Sequence, residues 1–318
     1  MKVIELLRSD GVPSVSYEIV PPKRGGSVSE ILEIIDQLME YAPPFVDVTS
    51  HSAQVYYEEQ QDGSWRRHIK RKRPGTLGLC AAIKGRFGIE TVPHLLCKGF
   101  TREESEDALI ELNYLGIQNV MALRGDDTGF KKQVGGDRTR NEYAVDLVRQ
   151  ISAMNSGHFL EDLIDAAPTE FCVGVAGYPE KHFEAPNRKW DIMNLKAKID
   201  AGAEYITSQM FFDNSAFFAF EAQCREVGIT VPIIPGLKVL TSKRQLQALP
   251  SRFYVQIPDE LASEIENAKD ADVPEIGIRW AVKQCDELLS AGFSNLHFYI
   301  IQTPEHVKQV VQTIRKRA

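Results

Sequence analysis

Asn119-Val120-Met121-Ala122-Leu123-Arg124-Gly125-Asp126 decides how the rest of the chain is read. A short apolar run ends in an arginine, a glycine and an acidic residue, with Asp127 and Gly129 close behind. A run of this length bounded by turn-formers reads as a fully buried strand, and the glycine marks a sharp exit. Arg124 and Asp126 then stand just past the strand's C-terminal end, the side on which parallel α/β sheets bind ligands. Alone, the stretch also fits a turn with a surface ion pair. Its neighbours decide, because other strands end the same way.

Working outward, further apolar runs lie at 15–20, 45–50, 91–97, 171–176, 205–212, 231–237 and 295–301. Pro21-Pro22 stops the first, and Pro235-Gly236 interrupts the seventh of the eight strands. Helical spacing falls between them, at 29–41, 76–87, 101–116, 142–154, 191–201, 215–227, 242–249, 259–268, 274–290 and 305–316, with a possible further helix at 160–167. The 101–116 helix carries Thr101 as N-cap, Glu104 as its capping-box partner and Gly116 as its stop. The polar, aromatic segment 51–65 leads into a basic run at 66–73, which reads as a solvated loop or helix face able to attract a polyanionic small molecule. Residues 128–140 are polar and Gly-rich and read as a mobile loop. Eight strands, each followed by a helix, require a parallel sheet and favour closure. The fold class expected is α/β, a single-domain (β/α)8 TIM barrel over 1–318. An open doubly wound sheet is the alternative, but no strand leads into a GxGxxG or GxxxxGK[ST] turn.

The totals agree with such a barrel. The chain has 318 residues, 43% of them hydrophobic and 25% charged. A net charge of −7 argues against nucleic acid as a partner, because phosphate contacts need a basic face. No run approaches the ~18 apolar residues of a membrane span, and no signal peptide is visible. Cys80, Cys97, Cys172, Cys224 and Cys285 are odd in number and far apart, so neither a disulfide framework nor a zinc site is indicated. A cytoplasmic protein with reduced thiols is expected.

In a barrel the strand ends share one mouth, and the groups gathered there are Glu18, Thr49, His94, Arg124 with Asp126, Tyr178, Gln209 and Gln302. Glu18 lies inside an apolar strand. Burial disfavours its charged form and raises its pKa, which suits a general acid near neutral pH. A structural ion pair with Lys23, Arg24 or Arg124 is the other reading. Asp126, at a turn, is expected to stay ionised, so the two carboxyls could divide acid and electrostatic roles. Two carboxyls fit a glycosidase equally. His94, His182 and His297 read first as hydrogen-bonded core histidines. No local spacing suggests a metal site, and no nucleophile elbow supports acyl transfer.

Nine short motifs follow one another in an order that makes the chain recognisable. They are Tyr17-Glu18-Ile19-Val20-Pro21-Pro22-Lys23, Val46-Asp47-Val48-Thr49, Pro93-His94-Leu95-Leu96-Cys97, Ala122-Leu123-Arg124-Gly125-Asp126, Gly177-Tyr178-Pro179-Glu180-Lys181-His182, Asn194-Leu195-Lys196, Thr207-Ser208-Gln209-Met210-Phe211-Phe212-Asp213, Ile234-Pro235-Gly236 and His297-Phe298-Tyr299. Together they resemble the methylenetetrahydrofolate reductase family from about residue 14 to 302, in its short, barrel-only bacterial form. The resemblance implies a barrel carrying FAD. Hydride passes from NADH or NADPH to the flavin and then, in a second half-reaction, to 5,10-methylenetetrahydrofolate, giving 5-methyltetrahydrofolate for methionine synthesis. Glu18 matches the family's general acid, which helps protonate N10 as the ring opens to a 5-iminium cation. Asp126 matches the carboxylate that contacts the pterin and influences the flavin.

Thr49, His94, Arg124, Gly125, Asp126, Tyr178, His182, Ala185, Asp191, Asn194 and Lys198 fall at positions resembling FAD contacts. Among these, Arg124 and Lys198 are suited to the pyrophosphate and Asp191 to a ribose hydroxyl. Gln209 and Gln245 match folate-contacting positions. The family commonly forms homo-oligomers. Three departures stand out: Ser50-His51 at the flavin edge, Leu249 where a relative's ring packs on nicotinamide, and Gln302-Thr303 where many relatives carry Asn-Arg. The large C-terminal regulatory domain of animal relatives is not expected. A corrinoid-dependent folate-binding methyltransferase and a barrel that only binds folate or flavin remain as alternative functions.

Overall fold

Alternation sorts each strand's side chains into two layers, which is what a closed parallel sheet wrapped by helices requires. In β1 (Ser14–Ile19), Val15, Tyr17 and Ile19 pack with helix residues such as Ile31, Ile35 and Leu38, while Ser16 and Glu18 take the other face. β2 (Phe45–Val48) sends Val46 and Val48 outward to the same layer and Phe45 and Asp47 inward. A hairpin follows, β3 (Gln54–Glu59) with β4 (Trp65–Lys70), outside the barrel sheet. The remaining staves are β5 (Glu90–Leu96), β6 (Asn119–Leu123), β7 (Cys172–Gly177), β8 (Tyr205–Ser208), the pair β9 (Ile233–Ile234) and β10 (Gly236–Leu237), and β11 (Asn295–Ile300). Phe45, Val92, Met121, Cys172, Tyr205 and Ile234 meet in the lumen. Val3, in the short helix Val3–Leu6, packs against them and donates its N–H to Asn119 Oδ1 at 2.7 Å, plugging that end.

The structure is a computed structural model that describes the chain apart from residues 9–11, 71–72, 74, 127–128, 130–134, 137–138, 301–302 and 318. Most of the 128–140 segment, and Gln302 of the Gln302-Thr303 departure, therefore lie outside the described residues. The strand order is β10-β11-β1-β2-β5-β6-β7-β8-β9, with every pairing parallel. Its two edges, β9 and β10, are separated by Pro235 alone, so the sheet closes into eight staves with the seventh broken. Proline lacks an N–H and interrupts the ladder, yet its carbonyl still accepts from the His297 N–H at 3.0 Å. The expected barrel is the observed one.

Helices Val28–Met39, Thr76–Phe87, Arg102–Tyr114, Ala144–Asn155, Arg188–Asp200, Asn214–Glu226 and Glu305–Arg315 wrap the staves, with Gln245–Phe253, Asp259–Asn267 and Val273–Ser290 after β10. The Thr101 capping box forms as expected, at 2.9 and 3.2 Å. Three expectations are corrected. The 160–167 segment is not a helix: Ile164 is 93% exposed and Asp165 has φ 58°, so no apolar face packs and the chain turns instead. Residues 54–70, expected as a loop or helix face, are the β3–β4 hairpin. The strand expected over 205–212 ends at Ser208. All five cysteines are free and buried, and among the described residues no helix is long and apolar enough to cross a membrane.

Candidate active site

Period two puts Glu18 inside the barrel, Cα-paired with Asp47 on one flank and Tyr299 on the other. Its side chain is 20% exposed, and Oε2 lies 3.6 Å from His94 Nε2. Burial raises its pKa to about 7, with Asp47 adding to the rise and the charges of His94 and Lys238 opposing it. The expected shift is therefore present, and the ion-pair partner it finds is a histidine. Burial works against a charged His94 as well. The hydrogen bond to Asp47 (3.2 Å) and the charges of Glu18 and Asp47 outweigh it, and His94 holds its proton above the ordinary range. Lys238 closes the group. Its Nζ donates to the Tyr299 carbonyl at 3.1 Å, and burial lowers it to about 8 against the pull of Glu18. His297 hydrogen-bonds Ser16 Oγ at 2.8 Å, and burial pushes its pKa down to about 4.

A second set of the expected residues lies where β6 and β7 lead into the loops. Arg124 pairs with Glu184 and sits 5.1 Å from the Tyr143 ring centre, while its buried Nε has no partner among the described residues. Gly125 has φ 84°, a left-handed turn that carries exposed Asp126 over the mouth. The Asp126 charge is felt by both His51 and Tyr178. Tyr178 packs edge-on against His182 at 4.6 Å, and burial raises its hydroxyl pKa. Asp191 accepts the His182 N–H at 2.9 Å, and Ala185 donates its N–H to the His182 carbonyl at 3.1 Å. Lys198 Nζ reaches the Ala176 carbonyl at 2.8 Å, and burial lowers it to about 8, opposed by Asp191. Asn194 lies exposed on the same helix. Across the mouth, Thr49 is buried with its hydroxyl unpaired among the described residues. Beside it a cavity of about 170 Å³ reaches His94 between Ser50, Thr76 and Phe100.

Gln209 and Gln245 are partly committed. The Gln209 side-chain carbonyl accepts Met210 N–H at 2.9 Å, and that of Gln245 accepts Thr241 N–H at 2.6 Å. Leu249 is 4% exposed in the core under its helix, so the side chain at that departure packs inward. His51 is pushed down to about 4 by burial and by the charges of Arg73 and Arg252. Gln302 lies outside the described residues. Asp47 and Lys238 were missed as functional positions. Each is a charged side chain between apolar neighbours, the same signal that singles out Glu18.

The sequence profile described as methylenetetrahydrofolate reductase matches residues 2–315. Methylenetetrahydrofolate reductase 2 of Saccharomyces cerevisiae is 32% identical over 309 residues, covering 94% of this chain and 47% of the yeast protein. The 5,10-methylenetetrahydrofolate reductase of Buchnera aphidicola is 31% identical over 299 residues, 92% of this chain and 88% of that one. The chain thus spans about half the length of the yeast and plant relatives it matches, and nearly all of the bacterial one. Among solved structures, an uncharacterized protein from Clostridium thermocellum that binds two copies of 5-methyl-5,6,7,8-tetrahydrofolic acid aligns over 100% of both chains, with a TM-score of 0.62 and 14% identity, a likeness of fold. On the profile match and these identities, the chain belongs to the methylenetetrahydrofolate reductase family.

Proposed function

We propose that this barrel, over residues 1–318, reduces 5,10-methylenetetrahydrofolate to 5-methyltetrahydrofolate with NADH or NADPH, using FAD as the carrier and feeding methionine synthesis. The observation that carries the reading is Glu18, a lumen carboxyl whose pKa is raised to about 7 by burial. Near neutral pH it holds a proton on Oε2 or Oε1 and can deliver it to N10 of the folate as the five-membered ring opens. Asp126, exposed at the mouth, supplies negative charge where the 5-iminium cation develops. The amide groups of Gln209 and Gln245 donate to the pterin and hold it in place.

The residues present fit a dinucleotide. The unpartnered Arg124 Nε and Thr49 Oγ1, both buried, are donors awaiting an acceptor, and Lys198 is a half-buried cation whose ammonium donates to the Ala176 backbone carbonyl. Arg124 and Lys198 would meet the pyrophosphate, Asp191 would take a ribose hydroxyl, and Tyr178, His182 and Ala185 would line the same wall. Bound FAD would supply a two-electron carrier that serves both substrates in turn. Rapid mixing of Glu18→Gln tests the assignment. The loss should fall mainly on the folate half-reaction and much less on oxidation of the nicotinamide. Equal loss in both halves removes Glu18 as the acid.

A further inference from the structure

Asp47 has no part in the chemistry above, yet its placement is costly. It is 1% exposed in mid-strand, paired with Glu18 across β1 and β2. A carboxyl so enclosed destabilises the fold unless its partners compensate. Its Oδ2 faces His94 Nε2 at 3.2 Å, and Oδ1 has no partner among the described residues. The same nitrogen faces Glu18 Oε2 at 3.6 Å. One N–H serves one well-aligned acceptor, so at these distances the bond belongs to Asp47 and Glu18 stands just beyond hydrogen-bond reach. Further inward-facing polar atoms, Tyr205 Oη, Thr207 Oγ1 and His297 Nε2, are buried and unpaired among the described residues. Enclosed water is the usual partner for such atoms. The charged and titratable groups facing Glu18 are His94 on β5, Asp47 on β2, Tyr299 on β11 and Lys238 after β10. Those facing His94 are Asp47, Glu18, His51 and His297.

We propose that Asp47 is a positioning residue for proton return: it holds the Nε2 proton on His94 and keeps that imidazole beside Glu18, so that the proton Glu18 gives to substrate is replaced from inside the barrel. The inference rests on Glu18 being the acid. In the first transfer the Glu18 O–H bond breaks as N10–H forms. In the second the His94 ring shifts its Nε2–H from Asp47 toward the ionised Glu18, and that N–H bond breaks as a new Glu18 O–H forms, leaving a neutral imidazole. Water returns one proton to His94 when the mouth reopens, which is the proton that reduction by NAD(P)H consumes. No electrons move in these steps. Asp47 acts throughout by orienting the ring and favouring its charged form.

Histidine-labelled holoenzyme gives a readout independent of turnover. The His94 ring resonances, identified by their loss in His94→Asn, are titrated by NMR. We expect a midpoint above the ordinary value of about 6.5, a drop of about one unit or more in Asp47→Asn, and recovery toward the native value in Asp47→Glu. In single turnovers Asp47→Asn should slow the folate half-reaction roughly tenfold or more, with a smaller change in the nicotinamide half-reaction and partial rescue by Asp47→Glu. A native His94 midpoint below the ordinary range overturns the proposal whether or not any variant folds. So does a midpoint that Asp47→Asn leaves unmoved. If native enzyme does not reduce methylenetetrahydrofolate at all, the reading of Glu18 fails separately, and the titration still reports whether Asp47 controls His94.

Discussion

Glu18→Gln should make the protein more stable while disabling it, and the effect should depend on pH with a defined sign. Glu18 has an ordinary pKa of 4.5 and a folded value of about 7, raised by burial. The native state therefore binds more protons than the unfolded state between those values, and stability contributed through this group falls as pH rises across the window. Below 4.5 both states are protonated and nothing is lost. Linkage gives a penalty of about 1 kcal/mol at pH 5 and about 3 kcal/mol at pH 8 for the native protein. Glutamine occupies the site without that penalty. Urea unfolding of native and variant at pH 5 and pH 8 measures the effect. The variant's advantage should grow by about 2 kcal/mol between the two, or several degrees in Tm for a domain this large. An advantage equal at both pH values, or larger at pH 5, would refute the buried, proton-holding Glu18.

Two further outcomes follow from the packing and the charges. A Cβ at Gly174 would lie 2.3 Å from Cζ of the Tyr205 ring, which fills the lumen, so Gly174→Ala should lower stability by about 1–3 kcal/mol in urea. Pairing it with Tyr205→Leu should recover part of that loss, because the two sites share one space. Lys198 is lowered to about 8 by burial, so its charge fades as pH rises past that value. FAD affinity should weaken over the same range, and Lys198→Met should bind roughly tenfold more weakly at pH 7 with that pH dependence flattened, as read by flavin fluorescence.

Where burial is one-sided, the fold was legible. The barrel staves carry long apolar alternations, and their starts and stops fall within a few residues of the observed ones. Pro235 announced the broken seventh stave, and Thr101 with Glu104 announced a helix start. The β3–β4 hairpin was not legible from periodicity because nearly every residue in it is exposed, so no face repeats. Its only signal was Asp62-Gly63 between two β-prone runs, a known hairpin turn. The 160–167 segment misled in the opposite sense: its spacing suits a helix, but nothing in the fold covers it. In the site, Glu18 was found because a charge inside an apolar strand is conspicuous. Asp47 in Phe45-Val46-Asp47-Val48 shows the same pattern, but its value depends on where His94 points across the barrel. That relation exists only in three dimensions. The pairing of Arg124 with Glu184, 60 positions later, is hidden for the same reason.

The central claim is that one mouth serves a flavin and both of its substrates, and its most direct test is the absorbance of the purified protein. The account predicts a yellow protein whose flavin band is bleached by NADH or NADPH without oxygen and restored by 5,10-methylenetetrahydrofolate. A colourless protein that takes up no FAD, or a bleached flavin that methylenetetrahydrofolate leaves unchanged, would contradict it.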